Sequence, residues 1–167
     1  TPLKIRLATA AAIEHHNAII ATFFLNQELL NGVQNTELRK LFLWHFAEEI
    51  EHKETVYKLL QSVSNSWLIR MLGLVSSLGT FIFSLLLGAF LFGIRTGSIA
   101  TSSFWKELLK ETLGRNSFLA VLIKGSFEFL RPNFYPSIKE SSALLNLALD
   151  ELERLEGKST RTQFPPP

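Results

Sequence analysis

The sequence contains no cysteine, so disulfide bonds, thiolate metal sites and cysteine nucleophiles are all excluded. It also has little net charge: 17 lysines and arginines oppose 15 acidic residues, which leaves +2 at neutral pH. A net charge this small produces no strong electrostatic attraction to nucleic acid, so nucleic-acid binding is not expected. Strand-like alternation and internal repeats are missing as well, which leaves helices as the expected building blocks.

Helical patterns run through most of the 167 residues, a length that suits one domain with a sizeable core. Residues 3 to about 30 predict a first long helix that ends at Asn31-Gly32. Residues 36 to about 63 predict a second long helix, followed by Ser66 as a suitable N-cap for a third. Because the link between the first two helices is short, they should pack as antiparallel neighbours.

A long hydrophobic segment follows, in which residues 71–94 contain no ionisable group. A bilayer span needs about 20 apolar residues, so this segment is long enough to cross a membrane. Small residues share one of its faces, where another helix can approach closely; they are Gly73, Ser77, Thr80, Ser84 and Gly88. Two interpretations of this segment are about equally supported by its hydropathy. It is either a membrane span or membrane-embedded hairpin, or a buried central helix of the bundle. The expected location is therefore cytoplasmic or associated with the cytoplasmic membrane.

Shorter helices are expected in the last third of the chain. Gly114 should end the first of them and Pro132 the second, because a residue before proline resists the helical conformation. Ser137 and Glu140 form a capping box for a last helix that ends at Gly157. The predicted organisation is a single helical domain over residues 1–157 with a disordered tail at 158–167. Within this domain, residues 1–63 are expected to form a helix pair, residues 67–95 the hydrophobic helix and residues 103–156 the C-terminal helices. The three C-terminal helices are predicted at 104–113, 117–130 and 138–155.

The most informative segment lies within the second helix, from Trp44 to His52, where three carboxylates and two imidazoles occur together. The helix is apolar on either side of it, at Leu38, Leu41, Val56 and Leu59. Burying acids and histidines without partners costs roughly several kcal/mol, and a metal ion is the usual compensation. Glu49 and His52 are three residues apart and share a helix face, so both can bind the same ion.

Glu14 is the matching carboxylate on the first helix, where small residues surround it on the same face. Two-metal sites in helical bundles take one glutamate from each of two helices and a Glu-x-x-His pair from each of two others. The predicted metal ligands are therefore Glu14, Glu49 and His52. His45, one turn before Glu49, is predicted to be a proton shuttle, a further ligand or a partner that orients Glu49.

Other histidines and acids near these positions have a simpler interpretation. His15 and His16 point about 100° and 200° away from Glu14 around the helix, so hydrogen-bonded or partly exposed side chains are expected there. Glu48 and Glu51 lie off the stripe and are expected at the surface or behind the ligands. Glu-x-x-His also arises by chance. The alternative is a solvated helix face formed by Glu48, Glu51, Lys53 and Glu54. The lone Glu14 on the first helix favours the metal site.

Two runs of sequence resemble a known family, the predicted metal-dependent hydrolases with a ferritin-like helical core. The first extends from Leu7 to His15 and the second from Trp44 to Lys53; the run from Leu130 to Pro136 is similar to the family's later Arg-Pro-Gly-Phe-His-Pro segment. The resemblance implies an all-α, ferritin-like helical bundle and metal-dependent hydrolysis. Here it would be a half-bundle of two long antiparallel helices, with the long hydrophobic helix and the shorter C-terminal helices.

Two departures from the family bear on function. Family members carry an earlier helix pair, with a Gly-Glu and a Gln-Glu-x-x-His segment, and this chain matches only the later half. The start at Thr1 is interpreted as a truncated or processed end. The chain would then be a piece of a longer product, a degenerate protein without metal, or one half of a homodimer that rebuilds the bundle. Asn133 and Tyr135 replace the family's glycine and histidine, so a chemical role for that histidine is not expected here.

The chemistry stays open between two classes. Carboxylate and imidazole ligands suit iron, the first expectation, with manganese or zinc as alternatives. A two-metal site with ions ~3.5–4 Å apart activates water for hydrolysis or oxygen for oxidation. The leading hypothesis is a metal-dependent enzyme acting on a small molecule, apolar in view of the phenylalanine-rich composition. The alternatives are a di-iron oxidase, a metal-storage protein and a non-enzymatic, membrane-associated helical protein with a degenerate site.

Overall fold

The computed structural model describes residues 2–113 and 117–157, and over these residues the chain is built from helices without strands. This confirms the predicted all-α class. The helices are α1 (Leu3–Asn26), α2 (Thr36–Val63), α3 (Trp67–Thr96), α4 (Ser102–Leu113), α5 (Phe118–Phe129) and α6 (Ser142–Leu155). Short 3-10 turns occur at Leu29–Gly32, Ser98–Ala100 and Lys139–Ser141. The predicted stop at Gly114 and the predicted tail at 158–167 lie outside the described residues.

The first helix, α1, lies at the centre and packs against α2, α3 and α5. Its buried positions are mostly alanines, which let neighbouring helices come close: Ala8, Ala11, Ala12, Ala18 and Ala21. The start of α1 packs with the end of α2 in one core cluster, and its end packs with the start of α2 and with α6 in another. The two long helices are therefore antiparallel, as their short link predicted.

α3 crosses α1 at very short range. A Cβ added to Gly73 would lie 2.4 Å from the carbonyl carbon of Ala8, so this position has no room for a side chain. Further along α3, a Cβ at Gly79 would meet nothing within 4 Å. The small-residue face predicted for this helix is thus used where Gly73 and Ser77 meet α1.

Two helix boundaries differ from the sequence prediction. α1 ends at Asn26 instead of near residue 30, because Glu28 adopts a left-handed conformation (φ 52°) that starts a separate 3-10 turn. α6 begins at Ser142 instead of 138, because the Ser137 hydroxyl accepts from the amide of Lys139, two residues on, and a 3-10 turn follows. The Ser66 cap is confirmed, since its hydroxyl accepts from the amide of Ile69 at 3.5 Å.

The segment after α5 is held by a buried arginine. The Arg70 guanidinium on α3 donates to the Tyr57 hydroxyl at 2.7 Å and to the carbonyl of Arg131 at 2.7 Å. Tyr57 in turn donates to the carbonyl of Phe134 at 2.9 Å. α2, α3 and the chain around Pro132 are therefore tied together by charge-assisted bonds.

Two buried histidines join α1 to its neighbours. The His16 ring bonds the hydroxyls of Ser77 on α3 and Ser126 on α5, both at 3.0 Å. His15 Nε2 bonds the carbonyl of Gly125 at 2.9 Å. Burial lowers the pKa of each histidine to about 4, so both are neutral at pH 7. His15 and His16 are therefore buried and hydrogen-bonded. Of the two environments expected from the sequence, hydrogen-bonded or partly exposed, the structure shows the first.

Substitution of the two α3 glycines tests the close crossing. Gly73→Ala should lower the free energy of unfolding by about 1–3 kcal/mol through overpacking against Ala8. Gly79→Ala, the matched control, should raise it by about 0.5–1 kcal/mol because alanine favours the helix. Thermal melting measures both; equal effects of the two substitutions would contradict the crossing.

The histidines predict a loss of stability in mild acid. The folded-state pKa of His15 and His16 is near 4 and the ordinary value is 6.5, so the unfolded chain takes up protons first as the pH falls. Stability is therefore complete above pH 6.5 and declines towards pH 4, by about 1 kcal/mol per histidine between pH 6.5 and 5.5. Urea unfolding at several pH values measures this decline, and His16→Gln should make it shallower. A decline that is unchanged in His16→Gln would refute the assignment.

Candidate metal centre

The predicted ligands lie on the outer face of the α1–α2 pair. Glu14 on α1 and Glu49 on α2 face each other across the two helices, with their carboxyl groups within hydrogen-bonding reach. One oxygen of each, Oε2, is buried and has no hydrogen-bond partner in the part of the chain that the structure describes. Two of the three predicted ligands are thus brought together.

The pair is electrostatically unfavourable without a cation or a proton. Burial raises the pKa of Glu14, and the nearby Glu49 raises it further by repulsion and by a hydrogen bond, while His52 opposes the shift. Two facing carboxyls can share a proton, or both can ionise around a positive ion. Their two unpartnered oxygens are of the type that hard and borderline divalent metals prefer, so the residues present fit a metal ion.

The third predicted ligand is nearby but points elsewhere. His52 is exposed, and its Nε2 lies 3.2 Å from Oε2 of Glu48, one turn earlier on α2. The Nε2 of His45 lies 3.4 Å from Oε1 of Glu49, which makes it a partner that can orient that carboxylate. Among residues 2–113 and 117–157, no group of three or more potential ligands is already arranged around one point.

The pairing of His52 with Glu48 is the feature that sequence reasoning missed. Glu48 is expected from the sequence at the surface or behind the ligands, yet it stands four residues before His52, a spacing at which helical side chains meet. The i, i+4 spacing to Glu48 and the i, i+3 spacing to Glu49 both allow contact, so the sequence could not choose between them.

The face that carries the pair is open. Large apolar side chains flank the polar groups of α2 and are about half exposed: Leu38, Leu41, Trp44 and Leu59. The buried side of α2, which includes Phe46 and Ile50, packs against α1 and α6. Apolar surface of this kind on either side of polar ligands is typical of a face that packs against further helices.

A small pocket lies between α1 and α3. It has a volume of about 180 Å³ and its α1 lining is Ile13, His16 and Asn17, which stand within three residues of Glu14 in the sequence. The α3 residues that line it are Ser77, Thr80, Phe81 and Ser84. The small-residue face of α3 therefore leaves space against α1 beyond the point where the two helices touch.

The segment from Leu130 to Pro136 lies away from the acidic pair. Tyr135 donates its hydroxyl proton to Oε1 of Glu54 at 2.6 Å, and Lys58 pairs with the same oxygen at 2.6 Å. These contacts lower the pKa of Glu54 to about 2. Glu54 follows Glu49 by five residues, about 140° around the helix, so the two acids occupy opposite flanks of α2. Tyr135 in place of histidine therefore does not change the surroundings of Glu14.

Comparison with known proteins assigns the chain to a family. Curated proteins and solved structures give no match. Residues 1–140, most of the chain, match the family described as predicted metal-dependent hydrolase. That match covers α1, α2 and the segment around Pro132, which carried the resemblance in the sequence. The chain belongs to the predicted metal-dependent hydrolase family.

Proposed function

We propose that this protein is a metal-dependent hydrolase whose metal ion is held by Glu14 and Glu49, with His52 as a third ligand. The observation that supports this most strongly is the pair of buried, unpartnered carboxylate oxygens. An uncompensated pair of this kind destabilises a protein, and families retain such arrangements chiefly where they serve a site. Membership of a metal-dependent family supplies the independent reason to choose a metal over a shared proton.

The residues of the site have separate roles in this proposal. Glu14 and Glu49 would hold the ion through their negatively charged carboxylate oxygens, and His45 holds Glu49 in place through Oε1. His52 leaves Glu48 to join them, a change of rotamer that its exposed position permits. When bound, a divalent ion would supply Lewis acidity and lower the pKa of water towards neutrality. Iron, manganese and zinc all accept this ligand set.

A second copy of the chain completes the site in our proposal. One chain offers two glutamates and one histidine, half of the four glutamates and two histidines of a two-metal helical bundle. Two copies related by a two-fold axis would supply the full set. The open α2 face suits such contact, because its apolar residues lie on both sides of the polar centre and would also bury Trp44.

The substrate that fits best is a small, largely apolar molecule. The pocket between α1 and α3 combines Ile13 and Phe81 with serine and threonine hydroxyls, so an apolar body and one or two polar atoms can be placed there. Its volume of about 180 Å³ would hold only part of a larger substrate. The scissile bond would lie towards Glu14.

Metal binding tests the ligand assignment. Glu14→Gln and Glu49→Gln should each lower bound Mn²⁺, Fe²⁺ or Zn²⁺ at least tenfold in equilibrium dialysis followed by elemental analysis, since each removes a charged ligand. Glu51→Gln is the matched control, an exposed acid on the same helix, and should bind as the wild type does.

The same variants have an effect without metal. Glu14→Gln should raise the melting temperature of the metal-free protein by about 2–4 °C, because it removes one of two repelling carboxyls. Unchanged metal content in both glutamate variants would contradict the proposal. A lower melting temperature would show that the pair is a structural contact.

Dimerisation tests the completion of the site. Sedimentation analysis should give a dimer, and the double substitution Leu38→Lys with Leu41→Lys should abolish both the dimer and metal binding. Leu147→Lys, at a still more exposed leucine on α6, should change neither. Two results for the wild-type protein would contradict a site shared between copies. One is a monomer that binds no metal when the ion is in excess, and the other is a monomer that binds the full amount of metal.

A further inference from the structure

The distal half of α3 exposes a run of large apolar side chains. The first half of α3 is fixed against α1 at Gly73, Leu74 and Ser77, which are buried. From Ile82 onward the large side chains of the helix are exposed. By length and composition α3 could cross a membrane, yet only 11% of its most apolar window is buried, unlike the core helix of a soluble protein.

Exposure on every side of the helix identifies the kind of partner. Ile82, Phe83 and the three leucines at 85–87 are all exposed, and consecutive residues point about 100° apart around a helix. One partner helix covers only a stripe about 100° wide, so a protein contact would leave much of this surface in water. The hydrocarbon of a lipid bilayer, in contrast, can surround all of these side chains at once.

The short helix α4 lies along one side of this distal half. A Cβ added to Gly93 would lie 3.3 Å from the Phe104 ring, and an apolar groove of about 550 Å³ separates Gly88 and Phe92 from Phe104 and Leu108. The α3 face turned away from α4 presents side chains that are 43–66% exposed: Phe83, Leu86, Leu87, Phe90, Leu91 and Ile94.

Charges on α4 exclude a full crossing of the membrane. Lys106, Glu107 and Lys110 are exposed on α4, beside the apolar half of α3. A transmembrane α3 would carry them into the hydrocarbon, where charged groups are rare unless they are paired. The stretch of α3 with exposed large side chains, residues 82–94, is also only about 20 Å long, less than the ~30 Å hydrocarbon core.

We propose that the distal half of α3 and α4 form an arm that inserts into one leaflet of a lipid bilayer. The face with Phe83 and Phe90 enters the acyl chains, and α4 lies towards the headgroups. Arg95, Lys106 and Lys110 are placed to contact lipid phosphates, and Trp105, which is exposed on α4, suits the interface. The inference does not depend on the metal site.

Flotation of the full chain with vesicles tests the arm. Wild-type protein should float with vesicles of phosphatidylcholine and phosphatidylglycerol, and Phe83→Glu with Phe90→Glu should reduce the floated fraction at least tenfold. Leu147→Glu, a control at an exposed leucine outside the arm, should float as the wild type does. Far-UV circular dichroism checks that each variant is folded.

Cysteine labelling distinguishes one-leaflet insertion from a span, since the chain has no native cysteine. In vesicle-bound protein, an impermeant maleimide added outside should label both Ser103→Cys and Gln61→Cys, two exposed positions. Protection of Ser103→Cys alone would overturn the one-leaflet arrangement in favour of a span.

Wild-type protein that stays unbound, or a Phe83→Glu/Phe90→Glu variant that floats equally, would overturn the proposal. An oligomer that forms without lipid and is lost in the double variant, with no flotation of the wild type, would assign the arm to a second copy instead.

Discussion

The carboxyl groups of Glu14 and Glu49 meet between α1 and α2, where each keeps one oxygen buried without a hydrogen-bond partner among residues 2–113 and 117–157. Two facing carboxylates repel each other, and burial removes the water that would screen them. Burial, together with repulsion and a hydrogen bond from Glu49, raises the pKa of Glu14 in this position. A divalent cation offsets both the repulsion and the missing hydrogen bonds. The unfavourable interactions of the metal-free pair therefore favour metal binding.

The surrounding fold keeps this pair in place. Alanines along α1 bring α2 and α3 close, and the buried contact of Gly73 with Ala8 fixes the position of α3. His16 joins α1 to both α3 and α5 through two serine hydroxyls. The rigid side of the molecule therefore lies behind the acids, and the open side lies in front of them. A site on this face is available to further helices and to substrate.

Much of this arrangement could be predicted from the sequence. The period of the apolar residues and the caps located α2 and α3 correctly, and the lone acid on α1 pointed to the partner of Glu49. The end of α1 was wrong because nothing in the sequence marks the left-handed conformation of Glu28. The orientation of His52 could not be predicted, because Glu48 and Glu49 are both within its reach on one helix. Hydropathy alone also left the environment of residues 71–94 open; exposure of the distal half of α3 is a tertiary property, visible only when its neighbours are known.

The claim that most of the functional interpretation depends on is that Glu14 and Glu49 bind the same cation. Crystals grown with Mn²⁺ and measured at a wavelength where manganese scatters anomalously would locate the ion directly. We expect an anomalous peak about 2–2.5 Å from an oxygen of each carboxylate. A peak elsewhere on the molecule, or a proton-linked pair of carboxyls with no peak at saturating Mn²⁺, would contradict it.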